Sequence, residues 1–96
     1  MALPGLKSPE EIAADIWGIQ VEQLTEKTRK REVVEARQVL MNYRNTRLNL
    51  SQAKSGEPYG KDHCTVIWAN KTVNGLLETN KEFIEKHSRF IKAVIV

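Results

Sequence analysis

Ninety-six residues, 41% of them hydrophobic and 28% charged, are enough for one folded domain, too few for a two-domain enzyme and too apolar for a disordered chain. No apolar run approaches the roughly 20 residues of a membrane helix and no charged-then-apolar leader opens the chain, so a cytoplasmic location without a membrane partner is expected. The net charge of +3 is unevenly spread: residues 1–25 carry Lys7 against Glu10, Glu11, Asp15 and Glu22. Residues 26–47 instead carry Lys27, Arg29, Lys30, Arg31, Arg37, Arg44 and Arg47 against three glutamates, a weak pointer to a polyanionic partner.

Residues 1–8 read as a flexible arm, and residues 9–96 as a single helical domain. Ser8-Pro9-Glu10-Glu11 offers an N-cap serine, a proline at the first helical position and acids in the first turn, and Gly18 stops the helix that follows. This predicts a first helix over Pro9 to about Trp17 with Ile12, Ile16 and Ile19 on one side. Val21 and Leu24 continue the apolar contacts through a short turn or a second helical piece, and Thr25 to Arg31 reads as an exposed, basic loop. From Arg31 or Glu32 to about Thr46 the residues Val33, Ala36, Val39 or Leu40 and Tyr43 recur at helical spacing without a breaker. Gly56, Pro58 and Gly60 then allow at most a short helix before a turn.

Asp62 is a good N-cap for a helix from His63 to about Leu77, with Val66, Ala69, Val73 and Leu77 inward and Cys64, Trp68 and Lys71 opposite. Asn80 begins a last helix whose expected buried series is Phe83, Ile84, His87, Phe90 or Ile91, and Val94. Trp17, Tyr43, Phe83 and Phe90 read as core, His87 as a structural histidine, and Trp68 as either an exposed aromatic or one folded back onto Leu50 or Tyr59. No segment alternates as a strand, so the fold class is all-α.

Catalytic and cofactor motifs fail. Gly56 and Gly60 enclose three residues where a Walker A loop needs four, and Asp62 stands where that loop places Ser or Thr. His63 and Cys64 are adjacent, which on a helix turns them about 100° apart, and no spacing supplies a third orienting group. The lone cysteine closes no internal disulfide, and with only His63 and His87 it is too poor a set for structural zinc. No enzyme activity, metal or cofactor is expected. What remains is a basic loop, a long helix, a short helix, a turn and a helix with a polar outer face. That order suits a helix-turn-helix, whose second helix reads bases from its N-terminal residues while basic neighbours grip phosphates.

The blocks Thr28-Arg29-Lys30-Arg31-Glu32-Val33-Val34-Glu35-Ala36-Arg37-Gln38 and Gly60-Lys61-Asp62-His63-Cys64-Thr65-Val66-Ile67-Trp68-Ala69 resemble the two signature blocks of the C-terminal domain of the bacterial DnaA replication initiator family. The resemblance covers about Pro9 to Asn80, with its signature part at 25–80, and Asp62-His63 followed by Thr65-Val66 is its most specific element. It implies a Trp-repressor-like helical fold that binds double-stranded DNA at a short DnaA-box-like element of a replication origin, in the nucleoid, with other replication proteins as further partners. By that resemblance Arg29 enters the minor groove, and Asp62, His63 and Cys64 meet base edges in the major groove. Arg31, Arg37, Gln38, Lys61, Thr65 and Trp68 lie near the sugar-phosphate backbone, and Lys30 and Lys71 complete the expected set. The chemistry agrees with those roles: arginine gains from the negative potential of a narrow groove, lysines and arginines release counterions, and an aspartate accepts from a cytosine amino group.

The chain also departs from the family pattern. Cys64 stands where Thr, Ser or Ala is usual, exchanging a hydroxyl for a weaker donor. Trp68 replaces a histidine, Lys61 replaces an arginine whose fork could bind bidentately, and Leu48 to Tyr59 lacks the usual Ile-Gly and Phe-Gly pattern. The family's ATPase domain is not among these residues, which reads as an excised domain or a stand-alone relative. Two alternatives follow: a protein-interaction module that has lost base readout, and a transcriptional or mobile-element regulator that reads another operator.

Overall fold

The computed structural model describes residues 8–95. Residues 1–7 of the expected arm, residues 1–8, lie outside the described residues, and its last residue, Ser8, caps the first helix. Among the described residues there are five α-helices, Pro9–Trp17 (α1), Arg31–Thr46 (α2), Gln52–Gly56 (α3), His63–Thr79 (α4) and Lys81–Ile95 (α5), with 3-10 turns at Val21–Thr25 and Glu57–Tyr59 and no strand.

Helix α1 starts as its sequence implies. The Ser8 hydroxyl accepts from the Glu11 amide at 3.2 Å while the Ser8 amide donates back to the Glu11 carboxylate at 3.3 Å, a reciprocal pair that satisfies two otherwise orphaned donors. Its deepest face is Ala13, Ala14 and Trp17. The expected isoleucines Ile12, Ile16 and Ile19 are half-buried and pack against the core. The small alanines allow close approach, and α1 lies against both α2 and α5.

Helix α2 is the central rod. Val33, Ala36, Val39, Leu40 and Met41 are buried along it, and it packs most extensively on α4, which turns Val66, Ala69 and Val73 inward. A chain of amides crosses this seam. Asn42 Nδ2 donates to Asn70 Oδ1 at 2.8 Å, Asn70 Nδ2 donates to Asn45 Oδ1 at 3.0 Å, and Asn45 Nδ2 donates to the Leu50 carbonyl at 2.9 Å. Directional polar bonds inside an apolar seam penalise any slippage, because a shifted register would strand half-buried amides without partners.

Helix α5 buries Phe83 and Phe90. Phe83 sits 6.2 Å from Trp17 between ring centroids, and Phe90 meets Tyr43 edge-on at 5.5 Å. His87 stacks on Phe83 at 6.0 Å, and burial, then the nearby charge of Arg47, pushes its pKa down. One expectation fails here: Ile84 is exposed. At 3.6 residues per turn the stripe through Phe83, His87 and Phe90 leaves its i+1 neighbour at the margin of the buried face.

Between α2 and α4 the chain makes a short helix after all. Ser51 caps α3 by accepting from the Lys54 amide at 3.1 Å, and the 3-10 turn carries Pro58 at its second residue and buries Tyr59. The Tyr59 hydroxyl donates to Glu10 at 3.1 Å, tying this turn to α1. Burial, reinforced by that carboxylate, raises the phenol pKa.

Candidate nucleic-acid interface

Three local devices set the start of α4. Gly60 has φ 68°, the left-handed region that costs a residue with a Cβ, and so reverses the chain after the 3-10 turn. Gly56 lies against the far side of the same turn: a Cβ there would stand 2.5 Å from the Lys61 carbonyl oxygen and 3.1 Å from Val66 Cγ2. Only a glycine lets α3 and the head of α4 approach this closely. Asp62 then caps α4, its Oδ1 accepting from the Thr65 amide and the Thr65 hydroxyl, both at 3.0 Å. The bonds from the Thr65 amide, then the Thr65 hydroxyl, hold the Asp62 carboxyl below the usual aspartate range.

Past this cap α4 presents an unpartnered face. His63, Cys64, Ile67, Trp68 and Lys71 are all exposed, at the spacings of three and four that stack on one side of a helix. Trp68 is 68% exposed, which decides between the two placements open for it: the ring faces outward, with Lys71 Nζ 5.8 Å from its centroid, within cation–π reach. The Cys64 thiol lies 3.5 Å from His63 Nε2. Ile67, not singled out from the sequence, belongs to this face, and its position three residues after Cys64 was the available signal. Lys61 is half-buried at the turn. The Thr65 hydroxyl, expected near a phosphate, donates into the cap.

The basic loop spans residues 26–30, between the first 3-10 turn and α2. Arg29 and Lys30 are exposed, and the loop's own bond runs from the Lys30 amide to the Thr28 hydroxyl at 3.3 Å. The 3-10 turn at Val21–Thr25 packs against the one at Glu57–Tyr59. This contact sets the root of the basic loop beside the turn that feeds α4, although the two are more than 30 residues apart in sequence. Arg31 opens α2 and donates from Nε to Glu35 Oε2 at 2.8 Å, an interaction that raises its pKa. Glu35 Oε1 in turn accepts from the Trp17 indole at 3.2 Å. Gln38 is half-buried on α2.

Arg37 departs from expectation. It is 6% exposed, and its guanidinium faces backbone carbonyls instead of solvent. Nε donates to Leu24 O at 2.8 Å, and Nη2 to Glu26 O at 2.9 Å and Gln23 O at 3.5 Å. Burial pulls its pKa down. The reason is geometric: the last carbonyls of a helical turn lack intrahelical donors, and although the Gln23 carbonyl takes the Glu26 amide, those of Leu24 and Glu26 are met by Arg37 from the second turn of α2. It is therefore turned toward the end of the 3-10 turn and the first loop residue instead of toward solvent.

Among the described residues no cluster of three or more His, Cys, Asp or Glu side chains could hold a metal ion, and no helix is long and apolar enough to cross a membrane.

A family model described as "Bacterial dnaA protein helix-turn-helix" matches residues 10–73. The chain is 40% identical over 75 residues to the chromosomal replication initiator protein DnaA of Flavobacterium psychrophilum, covering 77% of this chain and 16% of that protein. It is 44% identical over 68 residues to the DnaA of Bacteroides thetaiotaomicron, covering 70% of this chain and 14% of that one. With the DnaA of Bacteroides fragilis the identity is 52% over 58 residues, or 59% of this chain and 12% of the relative. The chain thus spans less than a fifth of the length of these relatives.

Proposed function

The chain belongs to the bacterial DnaA helix-turn-helix family, a family of DNA-binding domains, and from that premise we propose that it binds double-stranded DNA with sequence preference, laying α4 in the major groove and Arg29 in the adjacent minor groove. The observation that carries this reading is the exposed face of α4, from His63 to Lys71, beginning next to the root of an exposed basic loop. A rod with side chains free at its N-terminal end and a cationic segment alongside is the arrangement that two neighbouring grooves of a duplex accommodate.

In this reading His63 bonds a purine acceptor or a thymine oxygen, Cys64 packs on a thymine methyl, and Asp62 accepts from a cytosine amino group while Oδ1 keeps the cap. Lys30, Arg31, Gln38, Lys61, Trp68 and Lys71 meet phosphates, the Trp68 indole N–H as a neutral donor. Thr65 contributes through the cap. The relatives are named chromosomal replication initiators, and on that basis the target is a DnaA-box-like element of a replication origin, with the domain acting at the nucleoid beside other replication proteins.

The test is duplex selection from a random pool, followed by fluorescence anisotropy on the selected and a random duplex at several salt concentrations. Arg29→Ala and His63→Ala should each weaken binding to the selected duplex by about 1–3 kcal/mol and to the random duplex by less. Equal losses on both would remove the sequence preference. A selected site unlike any origin element would move the reading to a different operator. No affinity for any duplex at low salt would point to a protein-interaction module anchored on Ile67 and Trp68.

A further inference from the structure

Among the described residues no carboxylate pairs with the buried Arg37 guanidinium. Taking a charge out of water is costly unless dipoles replace the solvent, and here carbonyl oxygens of Gln23, Leu24 and Glu26 do so. All three acceptors lie at the end of the Val21–Thr25 turn or at the first residue of the loop. Downstream of Glu26 the described hydrogen bonds of the loop are its local Thr28–Lys30 bond and, where α2 begins, the Lys30 carbonyl accepting from the Val34 amide at 3.0 Å. The loop is thus fixed at Lys30 by α2 and at Glu26 by the bond from the Glu26 amide to the Gln23 carbonyl and by Arg37, the one side chain among the described hydrogen bonds that reaches this first loop residue from another element.

We infer that Arg37 is a positioning residue for DNA recognition: from inside the molecule it clamps the root of the basic loop so that Arg29 reaches the minor groove, and it does not itself bind phosphate. The inference rests on the proposed role of Arg29 and adds what holds it in place. A guanidinium suits the task because its planar fork donates along several fixed directions at once, whereas a lysine ammonium is a single flexible point charge. Lysine in its place keeps the charge and loses the geometry.

The experiment uses the whole chain in two ways. In the unsubstituted protein, the Arg37 Nε–H proton should exchange with water far more slowly than that of exposed Arg29, observed by NMR on the free protein. An equally fast exchange overturns the clamp, and this measurement requires no variant to fold.

The second arm compares Arg37→Lys and Arg37→Met, each checked for helical content. The heteronuclear NOE of residues 26–30 should fall while that of residues 63–71 is unchanged. Affinity for the selected duplex should drop about tenfold or more, the range of a lost specific contact. The dependence of log K on log salt should change by no more than the one phosphate contact that Lys30 makes from the loosened loop. In an Arg37→Lys background the further substitution Arg29→Ala should then cost much less than in the unsubstituted protein. A rigid loop together with a salt slope shallower by about 1 would instead make Arg37 a phosphate ligand and overturn the inference. If Arg29→Ala alone leaves discrimination intact, the groove role of Arg29 fails, while the exchange and NOE signals still decide the clamp separately.

Discussion

The head of α4 and the basic loop supply the two halves of the proposed DNA contact, and they are ordered in different ways. The head of α4 is set by devices within ten residues of itself: Gly56 permits the close approach, Gly60 reverses the chain and Asp62 caps the helix. The loop carries no comparable set, and its order is borrowed from a side chain on α2 and from packing between two 3-10 turns. A substitution can therefore disturb one half and spare the other. Reading bases demands a fixed helix, whereas following a minor groove requires only that the arginine start from the right place.

The largest effect that separates the two halves is expected at Gly56. A Cβ 2.5 Å from the Lys61 carbonyl oxygen and 3.0 Å from its carbon meets backbone, which cannot swing aside as a long side chain would. Gly56→Ala should cost about 1–3 kcal/mol, the range of an overpacked site, visible as a lower midpoint in urea or heat. Because α4 must shift to relieve the contact, affinity for the selected duplex should fall as well. The NMR signals of residues 26–30 should keep their order, and a loop disordered by Gly56→Ala would show that the two halves are not independent.

The same contrast explains what could be read from the residues alone. Helix boundaries came from local chemistry, and Ser8-Pro9, Asp62 and Asn80 each announce a start that the structure reproduces, Asn80 accepting from the Phe83 amide at 3.0 Å. The exposed side of α4 follows from counting threes and fours from His63. Arg37 could not be read that way, because an arginine in a basic, helical stretch looks like surface. Its burial depends on carbonyls 11 to 14 residues earlier in the chain that only the packed fold brings near. The amide chain through Asn42, Asn70 and Asn45 escaped for the same reason, its partners being 25 and 28 residues apart. The outward placement of Trp68 depended on whether α3 and the following turn left room for the ring, which spacing does not encode.

Two glycines sharpen the comparison with opposite signs. Gly60 and Gly75 both have nothing within 4 Å of a built Cβ, so crowding contributes to neither and backbone conformation alone decides. At Gly60, φ 68° makes Gly60→Ala destabilising by about 1 kcal/mol. Gly75 lies in the body of α4, where alanine is the better helix former, and Gly75→Ala should stabilise by about 0.5–1 kcal/mol. Thermal unfolding of the two variants side by side gives the check: a Gly60→Ala midpoint that rises together with that of Gly75→Ala would mean that the turn before α4 is not held in the left-handed conformation.

The smallest effect concerns the cap and is read through pH. The Thr65 amide and hydroxyl both donate to Asp62 Oδ1 and lower the carboxyl pKa in the folded chain. The unfolded chain therefore takes up this proton first on acidification. The cap's contribution is fully present above the unfolded aspartate value of about 3.9 and is lost as pH falls through the lower folded value. Asp62→Asn keeps a side-chain oxygen that accepts at the N-cap but has no proton to gain. Its unfolding midpoint at neutral pH should stay close to that of the unsubstituted chain, and its midpoint should fall less steeply below pH about 4. Parallel acid limbs for the two proteins would show that the carboxylate does not hold the head of α4 through this pair of bonds. The loop signals at residues 26–30 should not respond to the substitution, since nothing in their support passes through Asp62.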